Sequence, residues 1–87
     1  MDPIVSDLRE QIAAVDREIV AALNRRLELV ARLKRHKDEH GIDFVDSERE
    51  RWLIDHLAET NSGPLSDEGL RAFHAELLAL TKRELNR

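Results

Sequence analysis

The chain has 87 residues, 41% hydrophobic and 37% charged, with one Trp, two Phe, three Gly and two Pro. This is the profile of one small helical, charge-decorated domain over residues 1–87, short enough that good helix packing or a partner copy is needed for stability. A net charge of -4 excludes a basic nucleic-acid footprint, the lack of cysteine excludes disulfides and thiolate metal sites, and no run approaches the roughly 18 uninterrupted apolar residues of a membrane span.

The opening residues Met1-Asp2-Pro3-Ile4-Val5-Ser6-Asp7 are acidic and lack an apolar run, so no signal peptide is expected and a soluble cytoplasmic location is. Asp2-Pro3 predicts an N-cap followed by a first-turn proline, with Ser6 and Asp7 as alternative caps. Helix one then runs without Gly or Pro to Gly41, roughly 36 residues or about 54 Å at 1.5 Å per residue. Such a helix is longer than an 87-residue globule is wide. It cannot bury its whole stripe against its own chain, which predicts an intertwined homodimer with paired long helices, against the alternative of one bent or two shorter helices.

On that helix Ile12, Val15, Ile19, Leu23, Arg26, Val30, Leu33 and Lys37 recur at steps of three and four and mark one face. Two cations stand where core residues belong. Burying an unpaired cation costs several kcal/mol, so anions are expected close by. Arg26 and Lys37 are three turns apart, about 16 Å between backbones, and their arms could close on one small di-anion. Alternatively each pairs with a carboxylate such as Asp16 or Glu50, or snorkels along its own stem.

His40-Gly41-Ile42-Asp43-Phe44-Val45 reads as the first connection, with Gly41 as a C-terminal cap. Asp46 or Ser47 then starts helix two, Ser47 and Glu50 fitting a capping box. Its apolar face is Leu53, Ile54, Leu57 and Ala58, with Trp52 a packing residue at its edge. Thr60-Asn61-Ser62-Gly63-Pro64 is the second break. Ser66, with Asp67 and Glu68 in the first turn, opens helix three, where Leu70, Phe73, Leu77, Leu78 and Thr81 keep helical spacing. The fold class is all-α, three helices with one long and two shorter. His36, His40, His56 and His74 are expected on the surface; two imidazoles at i, i+4 are too few for a structural zinc.

The elements Leu8-Arg9, Asn24-Arg25-Arg26, Lys34-Arg35-His36-Lys37 and Val45-Asp46-Ser47-Glu48-Arg49-Glu50 resemble, in order and spacing, the all-helical chorismate mutases of the AroQ type. The likeness covers nearly the whole chain. It implies a cofactor-free isomerase converting chorismate to prephenate in phenylalanine and tyrosine biosynthesis. It further implies that Arg26 and Arg49 bind substrate carboxylates, that Lys37 contacts a carboxylate and the ether oxygen, and that Asp46 and Glu50 receive the ring hydroxyl. Arg9 would reach in from the other subunit. Independently, Arg9 lies about 100° around the helix from Arg26, so one chain cannot easily aim both at one site. Capping and the helix dipole alone also account for Asp46 and Glu50.

Two further features follow from the resemblance. Asn61-Ser62-Gly63-Pro64-Leu65 is similar to a loop of members fused to or paired with the entry enzyme of the shikimate pathway, DAHP synthase. Members usually carry Ser or Thr on the third helix and Gln or Glu four residues later, bonding the ether oxygen. Taking Thr81 as the hydroxyl puts Leu85 at the second position, whereas aligning on Phe73 puts Glu84 there and Leu80 at the hydroxyl. Two other readings share this sequence: an isochorismate pyruvate lyase or aminodeoxychorismate mutase on the same fold, and a non-catalytic helical module regulating a shikimate-pathway enzyme.

Overall fold

The computed structural model describes residues 2–87, in three helices and, among these residues, no strand: α1 (Pro3–Glu39), α2 (Ser47–Thr60) and α3 (Asp67–Leu85). The all-α class and the three-helix order agree with the sequence. The chain divides into two compact units, Met1–Leu33 and Lys34–Arg87.

The first unit is helical throughout its described residues after Asp2. Asp2 caps it as the sequence predicts, its Oδ1 accepting from the N–H of Ile4 at 2.9 Å and of Val5 at 3.4 Å. No residue of α1 is buried. The apolar stripe splits along its length. Ile12, Val15 and Ile19 leave half or more of their surface open, while Leu23, Arg26 and Val30 are half-buried. Exposed ion pairs such as Arg17–Glu10 at 3.4 Å decorate the helix and contribute little to stability.

The second unit starts with the end of α1, where Lys37 is half-buried and Leu33, just before it, is 48% exposed. Gly41, at φ 64°, ends the helix in the left-handed conformation that favours glycine, and the Ile42 N–H donates to the Lys37 carbonyl at 2.8 Å. Asp46, not Ser47, caps α2: its Oδ1 accepts from the Arg49 N–H at 3.0 Å, and its carbonyl takes the Glu50 N–H at 3.0 Å. The predicted Ser47–Glu50 capping box does not form. The reason is register, since Asp46 has the extended backbone an N-cap needs and Ser47 is already helical.

Helices α2 and α3 pack against each other across the short linker 61–66, an αα-hairpin. Asn61 locks that linker from both sides, its Oδ1 accepting from the Gly63 N–H at 3.1 Å and its Nδ2 donating to the Leu65 carbonyl at 2.8 Å. Ser66 caps α3 as predicted, its Oγ accepting from the Gly69 N–H at 3.0 Å. A Cβ at Gly69 would stand 3.0 Å from Leu65 Cδ1 and 3.1 Å from Ser66 Oγ, so a side chain there would crowd the cap. Arg71 ties Asp67 at 2.9 Å and reaches Asp55 of α2 at 3.9 Å.

The buried side chains of α3 are Leu70, His74 and Thr81. This corrects two expectations. Phe73 is 55% exposed, and His74, expected on the surface, is 5% exposed. At 100° per residue, positions 70, 74, 77 and 81 fall within about 60° of one another, whereas 73 lies about 70° from their mean direction. The apolar pattern alone favours Phe73; the helical angle favours His74.

Candidate active site

Lys37 stands in the last turn of α1, where cations are favoured by the helix dipole. Its Nζ donates to the Phe44 carbonyl at 3.4 Å in a partly buried setting. A neutral acceptor from the loop that leads to α2 thus anchors the ammonium. Nearby Lys34 pairs with Asp38 at 3.3 Å and lies 5.9 Å from the Phe44 ring centroid.

The first turn of α2 brings together Asp46, Arg49 and Glu50, as the sequence spacing implies. Asp46 is exposed and holds the Arg49 backbone; Glu50 is half-buried one step beyond. The Arg49 guanidinium is exposed and lies 4.0 Å over the Trp52 ring. Trp52 itself is 49% exposed and so is not the packing residue expected from its position. It stacks on His56 with ring centroids 4.9 Å apart and planes 7° from parallel. The i, i+3 and i, i+4 intervals 49–52–56 are the sequence signal for this ladder.

On α3 Thr81 is buried and its Oγ1 donates to the Leu77 carbonyl at 2.7 Å. Glu84 is half-buried and pairs with Arg87 at 2.7 Å. The buried line of α3 runs through 70, 74, 77 and 81, and from its mean direction Glu84 and Leu85 diverge by about 50° on opposite sides. Both are half-buried. Neither alignment of the third helix is therefore singled out by which face it buries. His74 Nε2 is buried with no hydrogen-bond partner among the described residues, a group that sequence reasoning missed.

Arg9 and Arg26 belong to the first unit. Arg9 is exposed beside Asp2, Val5, Ser6 and Glu10, which line a shallow open groove on the start of α1. Arg26 is half-buried, the only half-buried arginine of α1. Among the described residues no group of His, Cys, Asp and Glu is arranged to hold a metal ion; His36 and His40 stack at 4.2 Å, and the His40 Nδ1 meets the His36 carbonyl at 2.8 Å. Among the described residues no helix is long and apolar enough to cross a membrane. What these side chains offer chemically is cations and hydrogen-bond donors held by secondary structure, suited to gripping an anion.

Comparison with known proteins agrees. The family model "Chorismate mutase type II" matches residues 8–85. Two solved structures of chorismate mutase from Thermus thermophilus superpose closely. Form I has a TM-score of 0.85 and 31% identity over 88% of this chain and 96% of that one. Form II has a TM-score of 0.88 and 30% identity over 95% and 94%. The T-protein of Haemophilus influenzae is 39% identical over 50 residues, which are 58% of this chain and 13% of that protein, so the match spans only a small part of that curated relative. With a family model that takes in nearly every residue and two neighbours of the same fold and length, the chain belongs to the chorismate mutase type II family.

Proposed function

We propose that this protein is a chorismate mutase, rearranging chorismate to prephenate on the route to phenylalanine and tyrosine, as a single domain over residues 1–87 without cofactor. The observation that carries the reading is the family match over residues 8–85 together with the two superposing chorismate mutases. The reaction is an intramolecular Claisen rearrangement: the ether C–O bond breaks as a new C–C bond forms, and no atom, proton or electron leaves. No nucleophile is needed. Catalysis then rests on holding the folded conformer and on stabilising charge that develops on the ether oxygen.

In this reading Arg26 and Arg49 bind the two carboxylates, and Lys37 moves its ammonium from the Phe44 carbonyl to a carboxylate and the ether oxygen. An anionic carboxylate attracts the ammonium more strongly than a neutral carbonyl does, which favours the exchange. Asp46 and Glu50 receive the ring hydroxyl. Thr81 and Glu84 close the far end of the site. Glu84 would donate to the ether oxygen only in its protonated form, since an ionised carboxylate is an acceptor alone. The site is completed by a second copy of the chain, whose Arg9 is supplied in trans. The exposed stripe Ile12, Val15 and Ile19 supports that assembly, because it leaves a long apolar face for another α1. Cytoplasmic location and a regulatory DAHP synthase partner, suggested by the Asn61-to-Leu65 loop, belong to the same proposal.

The test is loss of chorismate absorbance with the product identified, for the protein alone and with DAHP synthase. Lys37→Ala should lower kcat by orders of magnitude, of the size seen when an electrostatic transition-state donor is removed, while circular dichroism stays unchanged. With isochorismate offered as a second substrate, release of pyruvate from it would assign the lyase. Absence of chorismate turnover in both settings would leave the isochorismate lyase or the non-catalytic module as the reading.

A further inference from the structure

The Arg49–Trp52–His56 ladder has no place in the core. Trp52 is the only tryptophan in the chain and is half open to solvent. What the indole does touch is a cation. The Arg49 Cζ is 4.0 Å from its ring centroid, one turn earlier on α2, and His56 lies parallel to it one turn later. Arg49 is therefore held twice, at its backbone N–H by Asp46 Oδ1 and at its guanidinium by the indole.

Stacking uses the π face of a guanidinium and none of its N–H bonds. All five donors stay in the plane, at the edge that matches a carboxylate in two-point contact. An exposed arginine without such a rest would spread over many rotamers, and the spread must be lost on binding.

We propose that Trp52 is a positioning residue for Arg49, holding the guanidinium by its face so that its edge is presented to a substrate carboxylate, with His56 fixing the plane of the indole. This rests on the mutase reading above. The ring is a platform that stays in place when substrate binds; it does not touch the reacting atoms. Its effect falls on capture of the carboxylate and so on KM, because the contact is the same in ground and transition states.

The experiment is steady-state kinetics of the full chain as wild type, Trp52→Leu, Trp52→Phe, Arg49→Ala and the Arg49→Ala/Trp52→Leu double variant. Thermal melts follow folding. Trp52→Leu should raise KM about two- to fivefold, the factor expected of an exposed cation–π contact, with kcat nearly unchanged. Trp52→Phe should recover part of the loss. In the Arg49→Ala background the leucine change should do nothing more, since the group it positions is gone. An equal rise in KM in both backgrounds, or none in either, overturns the positioning role while wild-type turnover leaves the mutase reading intact. Absence of wild-type turnover overturns both.

Discussion

On α3 Leu70, His74 and Thr81 are each less than a tenth exposed, whereas on α1 Ile4, Ile12 and Ile19 each leave more than half their surface open. Both segments are fully helical and both are strongly amphipathic in sequence. The hairpin is made from local devices that close on themselves: Asp46 and Ser66 cap its helices, Asn61 locks the linker, and Arg71 bridges to Asp55. The N-terminal half of α1 has one cap at Asp2 and then a ladder of intrahelical bonds. Its sequence specifies a helix; nothing in its own unit covers the apolar side. Helix encoding and burial are thus separate requirements, and this chain meets both in the hairpin and only the first at the start of α1.

Three variants would break or sharpen that contrast. The largest effect is expected from Ile12→Asp with Val15→Asp. On a solvent-exposed face the pair would cost no more than about 1 kcal/mol. Between two copies of α1 it would bury two carboxylates, at several kcal/mol each. Analytical ultracentrifugation should show a dimer reduced to monomer, with turnover lost alongside because Arg9 no longer reaches a second chain; an unchanged sedimentation coefficient would remove the dimer from the proposal.

Leu70→Ala strikes the other side of the comparison. As the buried apolar side chain of α3 it should cost about 2–5 kcal/mol, read as a lower denaturant midpoint. A loss below about 0.5 kcal/mol would mean that the hairpin has no core of its own.

The smallest effect is expected from His74→Leu, and it has the opposite sign. Removing a buried nitrogen that has no partner among the described residues should gain about 1 kcal/mol and raise Tm by roughly 4–8 °C. A lowered Tm would reveal a partner that the imidazole needs in solution.

The contrast between regions also explains what is legible in the sequence. Helix ends are written in residues with a single local job: Asp2, Gly41 and Ser66 can be read directly, and the first two place α1 to within a few residues of Pro3–Glu39. The charged residues of the first α2 turn are legible for the same reason, since their spacing and their helix start coincide. Faces are harder. Between Phe73 and His74 the apolar pattern and the helical angle disagree, and burial follows the angle. Trp52 reads as packing because an aromatic beside an apolar face usually is. The intervals 49–52–56 put a guanidinium and an imidazole within its reach, but that they stack on the indole is decided by rotamers.

Asn61 carries a consequence of a different kind. One side chain both accepts from Gly63 and donates to Leu65, so the linker depends on an amide, and an acid of the same shape is no substitute. Slow hydrolysis of that amide to aspartate would keep the acceptor half, erase the donor half and set a carboxylate oxygen against the Leu65 carbonyl. The chemical age of a sample would then be recorded at the joint between α2 and α3, as one added negative charge and one lost hydrogen bond.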